Sequence, residues 1–332
     1  MYRIRLSAYV RQWSPGRALG FAGAFTAMLA ALVLPPVEAS ADSVPVETAA
    51  AVDDRWVAGA TVGADGGWPT GSAVAADARV APQFHRAAGS GKPVHFNGWG
   101  FDTCEAPSLA TMRAWRRASP YRAVGIYFGG RGRGCPRQKN LNKQWITAVD
   151  RMGWFLLPVY VGSQSPCVHA RDKRRYAIGR APWKQGVREA RDAVKRARWH
   201  RMIPGSTLYL DIEAYDLRNK ACADRTLTFV RGWNREIRRH RYIPGYYSSA
   251  SSGVRHMEWA RKAGIKDLPT AMWFARWKVP PSVQHEPSLN RRAWMPHRRI
   301  HQYVGNVRET HGGHRLNIDR NRVDALVART WE

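Results

Sequence analysis

From residue 95 onward, short runs of apolar residues alternate with longer stretches in which apolar residues recur every three or four positions. The short runs predict β-strands and the longer periodic stretches predict amphipathic helices. In one such stretch Val187, Ala190, Val194 and Ala197 form a single stripe. The five predicted strands cover residues 99–103, 123–128, 155–161, 207–214 and 243–248, and the helices that follow them cover residues 107–118, 141–152, 182–199, 225–239 and 252–263.

Beyond residue 263 the helical pattern thins out. Three further strands are predicted at residues 271–277, 299–304 and 316–319, and a last helix at residues 321–328. Five strand–helix units followed by three strands predict an α/β fold, a TIM-like (βα)5β3 barrel, as a single domain over residues 95–332. The alternative is an open doubly wound sheet, although no GxGxxG motif follows an early strand, which weakens its dinucleotide-binding version.

The first 94 residues have a different character. Four arginines precede an uncharged, mostly apolar run at residues 18–34, and Pro35-Pro36 and Ala39-Ser40-Ala41 follow it. This order predicts a signal peptide at residues 1–41, with an uncleaved anchor as the alternative and no arginine pair to support twin-arginine export. Residues 42–94 are rich in Ala and Gly and predict a flexible linker. The expected location is therefore secreted, extracellular or associated with the cell wall.

The charge of the chain is strongly positive. Lys and Arg number 53 against 25 Asp and Glu, which gives a formal net charge of +28. Such a charge first suggests nucleic acid, or a compositional bias toward Arg. Export changes this interpretation, because the common polyanions outside the cell are wall polymers and lipid head groups. We therefore expect a monomer that is attracted to anionic wall polymers, and no nucleic-acid partner.

Acidic residues are few, yet four of them fall where predicted strands end. Asp102 ends the first strand, Asp211 and Glu213 share one face at the end of the fourth, and Asp319 ends the eighth. In a barrel these positions meet at one rim, where the active sites of such folds lie. Clustered carboxyls raise the pKa of at least one member, as a glycosidase requires. Pairing with Arg or helix capping is the structural alternative.

The four cysteines also follow predicted strand ends. Cys104, Cys135, Cys167 and Cys222 come after the first, second, third and fourth strands. Four cysteines allow three pairings, and the adjacency of loops favours Cys104–Cys135 and Cys167–Cys222. Export permits such disulfides, which would hold the loops of the site, and a catalytic cysteine is not expected.

Aromatic and amide side chains are predicted near the same rim. Such side chains stack on sugar rings or bond to their hydroxyl groups, with core packing as the alternative for each of them. His301 and Gln302 cannot both face inward on one strand. The eleven histidines are dispersed, and we expect no metal and no cofactor. The predicted substrate-binding residues are Tyr127, Tyr160, Tyr247, Trp273, Trp277 and Gln302.

Several of these motifs resemble one family. The runs at residues 100–108, 123–130, 211–215, 246–253 and 300–303 are similar to the glycoside-hydrolase-like domain of exported bacterial proteins, once classed as a domain of unknown function. The resemblance covers roughly residues 98–328 and includes all four cysteines. That family in turn resembles the lysozymes of glycoside hydrolase family 25, which share the five-unit, three-strand barrel and an Asp-x-Glu on the fourth strand.

The resemblance implies roles for the acids. Glu213 would be the general acid, Asp211 would stabilise the positive transition state or orient an N-acetyl group, and Asp102 and Asp319 would support them. Arg276 departs from the pattern, because a small polar residue is expected there. The expected function is hydrolysis of cell-wall glycan, with peptidoglycan as substrate. The alternatives are a non-catalytic glycan-binding barrel and an extracellular nucleic-acid binder, which would need a basic stripe that the scattered arginines do not predict.

Overall fold

The structure, a computed structural model, describes residues 93–331. The predicted signal peptide and residues 42–92 of the predicted linker lie outside the described residues. The strands are β1 (His95–Asp102), β2 (Ala123–Gly129), β3 (Phe155–Tyr160), β4 (Thr207–Asp211), β5 (Ile243–Ser249), β6 (Ala271–Ala275), β7 (Arg299–His311) and β8 (His314–Leu326). The helices are α1 (Leu109–Ala118), α2 (Lys143–Arg151), α3 (Pro182–Trp199), α4 (Lys220–Arg239) and α5 (Arg255–Lys262).

The eight strands form one closed barrel in chain order. Neighbouring strands are parallel from β1 to β7, whereas β8 runs antiparallel to both β7 and β1. A helix follows each of the first five strands. The predicted (βα)5β3 barrel is therefore confirmed, and the open sheet is excluded because β1 and β8 pair. Within residues 93–331, no helix is long and apolar enough to cross a membrane.

Helix starts follow local capping chemistry. The side chains of Ser108, Asn142 and Asn219 accept hydrogen bonds from backbone N–H groups in the first turns of α1, α2 and α4. Pro182 opens α3, where its missing N–H group costs nothing. The Asn219 cap explains why α4 begins at Lys220, five residues before its predicted start.

The predicted helix at residues 321–328 is wrong. This segment is the second half of β8, in which Val323 and Ala325 are fully buried among the residues of the barrel interior. The alternation of these side chains has the period of a strand, and pairing to both β7 and β1 satisfies the backbone on two sides. The preceding turn places Gly312 and Gly313 at positive φ, so the His-Gly-Gly-His run closes a hairpin between β7 and β8.

Apolar packing forms two clusters that place the site. One fills the interior of the barrel and includes Leu157, Tyr209, Trp273 and Ile300. The other lies between the strands and the helices and includes Trp115, Trp145, Trp154 and Trp233. Because the interior is packed with side chains rather than open, a ligand can enter only above it, at the carboxyl ends of the parallel strands.

Candidate active site

A cleft of about 640 Å³ opens at the carboxyl ends of the strands. Asp102, Asp211, Glu213 and Asp319 all line it, so the structure brings the four predicted acids together. Glu105 also lines the cleft, and Lys173 is the one Lys or Arg among the lining residues that the structure describes. The ion pairs of residues 93–331 join none of Asp102, Asp211 and Asp319 to an arginine, which argues against the structural alternative for these acids.

Asp102 is buried at the end of β1 and is held by three hydrogen bonds. The Tyr127 hydroxyl donates to its Oδ1 at 2.9 Å, and the amides of Asn321 and Gln302 donate to its Oδ2 at 2.7 and 3.1 Å. Burial and the nearby Asp319 carboxylate nevertheless raise the pKa of Asp102 to about 7. Gly125 lies beside it on β2, where a Cβ atom would come within 2.4 Å of the Asp102 Cβ. The site needs a glycine at that position.

Asp319 faces Asp102 across the pair of β1 and β8. Its Oδ1 accepts the backbone N–H of Asn306 at 2.6 Å, and its Oδ2 accepts the Gln302 amide at 3.2 Å. Burial raises the pKa of Asp319, although the Asn306 bond opposes this shift. The Gln302 amide N–H group thus bridges two carboxyl groups. The Trp277 indole N–H fixes the orientation of this amide, because it donates to Gln302 Oε1 at 2.9 Å.

Asp211 and Glu213 lie in different environments. The regular strand β4 ends at Asp211, shorter than predicted, and Glu213 follows in the loop. Asp211 is 6% exposed, and burial together with the Glu213 charge raises its pKa well above the usual range. The Glu213 side chain is 39% exposed to the cleft. One carboxyl group is therefore held in a dry setting beside a second that a ligand can reach.

The buried Gln164 fixes the turn that carries these two acids. Its Nε2 donates to the Asp211 carbonyl oxygen at 2.9 Å, and its Oε1 accepts the Glu213 backbone N–H at 2.8 Å. These two bonds hold the backbone beyond Leu210, where the pairing of β4 with β3 ends. Sequence reasoning missed Gln164, because it lies in the polar loop after β3 and nothing in its spacing relates it to β4.

Lys173 is a second residue that sequence reasoning missed. It belongs to a single 3₁₀ segment, Arg171–Tyr176, in the loop between β3 and α3. Its Nζ lies 3.7 Å from Glu213 Oε1 and donates to the Gly132 carbonyl oxygen at 2.8 Å. Its charge lowers the pKa of Asp211, against the larger effects of burial and Glu213. A basic residue in a basic loop carries no sequence signal, which explains the omission.

The predicted substrate-binding residues divide into two groups. Tyr127, Tyr247, Trp277 and Gln302 line the cleft, and Trp277 is 45% exposed at its rim. Burial raises the pKa of both tyrosines well above their usual range, so their hydroxyls remain protonated. His301 points away from the cleft and stacks on Phe274, as expected if only one of His301 and Gln302 faces inward.

Tyr160 and Trp273 do not line the cleft. Tyr160 packs in the outer cluster, and its hydroxyl donates to Asp192 on α3 at 2.8 Å, because its position on β3 faces the helices. Trp273 is fully buried in the barrel interior, where its indole N–H donates to Asn321 Oδ1 at 2.8 Å. Asn321 in turn bonds to Asp102. Trp273 is thus a positioning residue beneath the site and not a contact for a glycan.

Two disulfides join the loops around the cleft. Cys104 pairs with Cys135 and Cys167 with Cys222, which confirms the pairing favoured by adjacency. They close sequence separations of 31 and 55 residues, for which chain entropy gives a stabilisation of about 4 kcal/mol each. Cys104 and Cys135 themselves line the cleft.

The unexpected Arg276 makes a two-bond ion pair with Glu286, outside the residues that line the cleft.

Comparison with known proteins identifies the family. Residues 113–323, more than half of the chain, match the sequence model of the Rv2525c-like, glycoside hydrolase-like domain. No curated protein matches the chain in sequence.

Several solved structures are similar. The Tat-secreted protein Rv2525c of Mycobacterium tuberculosis, in complex with L-tartrate, is 16% identical over 69% of this chain and 96% of its own, with a TM-score of 0.48. The modular autolysin LytC of Streptococcus pneumoniae is 13% identical over 70% of this chain and 46% of its own, with a TM-score of 0.45. The spore cortex lytic enzyme SleM of Clostridium perfringens is 11% identical over 68% of this chain and 67% of its own, with a TM-score of 0.46. The assignment rests on the sequence match: the chain belongs to the Rv2525c-like glycoside hydrolase-like domain family.

Proposed function

We propose that the protein hydrolyses a cell-wall glycan, with peptidoglycan as its substrate. The observation that carries this proposal is the contrast between Asp211 and Glu213. Asp211 is 6% exposed and has a raised pKa, whereas the Glu213 side chain, two residues on, is 39% exposed to the cleft. Glu213 can reach a ligand and is therefore assigned as the proton donor. The positive charge that develops in the transition state would favour the ionised form of Asp211, against its raised pKa, and Asp211 is therefore assigned as the charge stabiliser.

Glu213 is the general acid in this proposal. Its carboxyl proton passes to the glycosidic oxygen as the bond from the anomeric carbon to that oxygen breaks, and the leaving sugar takes the bonding electrons. Asp211, or the acetamido group of the substrate, stabilises the positive charge left on the sugar. Water then supplies the hydroxyl group to the anomeric carbon, and its proton returns to Glu213. Asp102 and Asp319 hold the surrounding polar network through Gln302.

Glycan binding would use the aromatic wall of the cleft. Trp277 offers an indole face at the rim, and Tyr127 and Tyr247 lie deeper. Sugar rings stack on such faces through their apolar C–H surfaces. The two disulfides suit an oxidising compartment, so the proposal includes action outside the cytoplasm, at the cell wall.

The test is turnover of purified peptidoglycan by the protein and by Glu213→Gln, followed as released reducing ends over a range of pH. Glu213→Gln keeps the size of the side chain but removes the proton donor, so the rate should fall by a factor of about 100 or more. Asp224→Asn, an exposed carboxylate on α4 paired with Lys220, is the matched control and should retain the wild-type rate. Equal release by wild type and Glu213→Gln at every pH would refute hydrolysis.

A second candidate function is glycan binding without turnover. It is favoured by Lys173, whose ammonium lies 3.7 Å from Glu213 Oε1. This positive charge stabilises the ionised form of the carboxyl group that would have to donate the proton. In that case the protein sediments with insoluble wall, Trp277→Ala weakens this binding, and no reducing ends appear. Sedimentation and product release, measured on the same samples, separate the two functions.

A further inference from the structure

The outer side of the barrel carries a groove that is separate from the acidic cleft. It runs between α3 and α4, in two adjoining cavities of about 740 and 500 Å³ that share Glu236 and Arg239. We call it the basic groove, because five of the ten described residues that line it are Lys or Arg. These cations are Arg191, Lys195, Arg198, Arg235 and Arg239.

Close contact of the two helices shapes this groove. A Cβ atom on Gly186 of α3 would come within 2.2 Å of the Phe229 carbonyl oxygen, and one on Gly232 of α4 within 2.6 Å of the Trp183 carbonyl oxygen. The glycines therefore let the helix backbones touch. Long basic side chains extend from both helices beside this contact, and the two cavities lie among them.

Positive charge in the basic groove is largely uncompensated. Among the described residues that line it, Glu236 is the one carboxylate, which is buried and pairs with Arg191 at 2.7 Å and with Arg239 at 3.6 Å. Across residues 93–331, no ion pair involves Lys195, Arg198 or Arg235. Five exposed cations against one carboxylate leave a net charge of +4 along one groove. Such a concentration attracts anions more strongly than the same charges dispersed over a surface.

The shape and chemistry of the groove limit the partner. Arginine forks bind phosphate through two parallel hydrogen bonds, and a recessed groove admits a linear chain more readily than a flat membrane surface. Trp183 lies at one end, but Arg231 and Arg235 lie over its ring at 5.8 and 5.9 Å from the centroid. Guanidinium groups therefore already lie against this ring, which disfavours stacking of nucleic-acid bases on it, whereas polyol units between phosphates need no stacking surface.

We propose that the basic groove binds a phosphodiester-linked polyol chain of the cell wall. The groove anchors the protein along such a polymer, and binding there is independent of chemistry in the cleft, since none of the five groove cations lines that cleft. Counterion release from the polymer makes the affinity fall steeply with salt.

The experiment measures binding of labelled poly(glycerol phosphate) to the full chain by fluorescence anisotropy. The groove variant combines Lys195→Gln, Arg235→Gln and Arg239→Gln. Its control combines Arg113→Gln, Arg117→Gln and Arg137→Gln, three exposed cations elsewhere that change the net charge equally. Circular dichroism and thermal melting confirm that both variants fold. The groove variant should raise Kd about tenfold or more at physiological salt and flatten its salt dependence, and the control should stay within about twofold of wild type.

Three results would overturn the proposal. Equal weakening in both variants would show that net charge alone drives binding. Tighter binding to single-stranded DNA, or to vesicles with anionic lipid head groups, at equal phosphate concentration would assign the groove to another partner. Unchanged binding in the groove variant would place the polymer elsewhere. Glu213→Gln should bind the polymer as wild type does, so failure of the hydrolase proposal and failure of this one are distinguishable.

Discussion

Replacing Asp102 by Asn should make the protein less sensitive to alkaline pH. The pKa of Asp102 is raised to about 7 in the folded chain, from 3.8 for an ordinary aspartate. Between these two values the folded state binds a proton that the unfolded state does not, so stability is highest at acidic pH and is lost as the pH rises through 7. The amide introduced by Asp102→Asn carries no charge at any pH. Its carbonyl oxygen can accept from the Gln302 and Asn321 amides, and its N–H group can donate to the Tyr127 hydroxyl oxygen.

The magnitude follows from linkage. For a single group with these two pKa values, the free energy of unfolding falls by about 2 to 3 kcal/mol between pH 5 and pH 8, at about 1.4 kcal/mol per pH unit where the slope is steepest. In Asp102→Asn this contribution is absent, and the pH dependence that remains comes from other groups with shifted pKa values, among them Asp211, Asp319 and His200. With the introduced amide taken as equivalent to the protonated carboxyl group, the variant should therefore exceed the stability of wild type by about 1 to 2 kcal/mol at pH 5 and by about 4 kcal/mol at pH 8.

Urea unfolding at four values of pH from 5 to 8, followed by tryptophan fluorescence, measures this difference. Asp224→Asn, exposed on α4, serves as control and should keep the wild-type slope. Parallel slopes for wild type and Asp102→Asn would refute the reasoning, because they would show that Asp102 is ionised across this range in the folded protein.

Three further predictions concern the cleft. Lys173→Met removes a charge that lowers the pKa of Asp211, so the acidic limb of the pH profile of kcat/KM should move to higher pH, and an unmoved limb would argue against electrostatic control by Lys173. Gln164→Ala leaves the Asp211 carbonyl and the Glu213 N–H without their partner, so thermal melting should show a free energy of unfolding lower by about 2 kcal/mol. In kinetic assays of the same variant, kcat should fall by a larger factor than KM rises. Trp277→Ala should weaken sedimentation with insoluble wall about tenfold and Trp277→Phe much less, whereas equal loss in both would point to the indole hydrogen bond to Gln302 instead of ring stacking.

Strand ends are where sequence reasoning succeeds in this protein. A buried strand followed by an amphipathic helix leaves two periodic signals that fix the order of the barrel. The rule that parallel strands share a carboxyl edge then gathers Asp102, Asp211 and Glu213. Asp319 reaches the same rim for another reason, because β8 runs antiparallel and passes the rim near its start, so the prediction that Asp319 ends the eighth strand is wrong. The disulfide pairing follows from the same rule, since Cys104 and Cys135 lie in adjacent loops at that edge.

Contacts that depend on side-chain direction escape such reasoning. Tyr160 is next to an inward-facing position of β3. Because successive side chains on a strand point to opposite faces of the sheet, Tyr160 points toward the helices instead of the barrel interior. The last segment mixes Val, Ala and Leu with charged residues at a spacing that both helix and strand accept, and only pairing with β1 decides between them. Gln164 and Lys173 reach the site from a long loop, whose path the chain order does not specify.

The antiparallel pairing of β8 with β1 also determines when the site can exist. Asp102 and Asp319 are partners in the register of this pair, although they come from the first and the last strand of the barrel. The barrel therefore has a seam at which these two strands meet, and contacts of such long range form slowly during folding. A chain that still lacks β8 has open edges on β1 and β7 and has neither Asp319 nor Asn321. The acidic cleft is completed only when the last strand closes the seam and brings its two opposed carboxyl groups together.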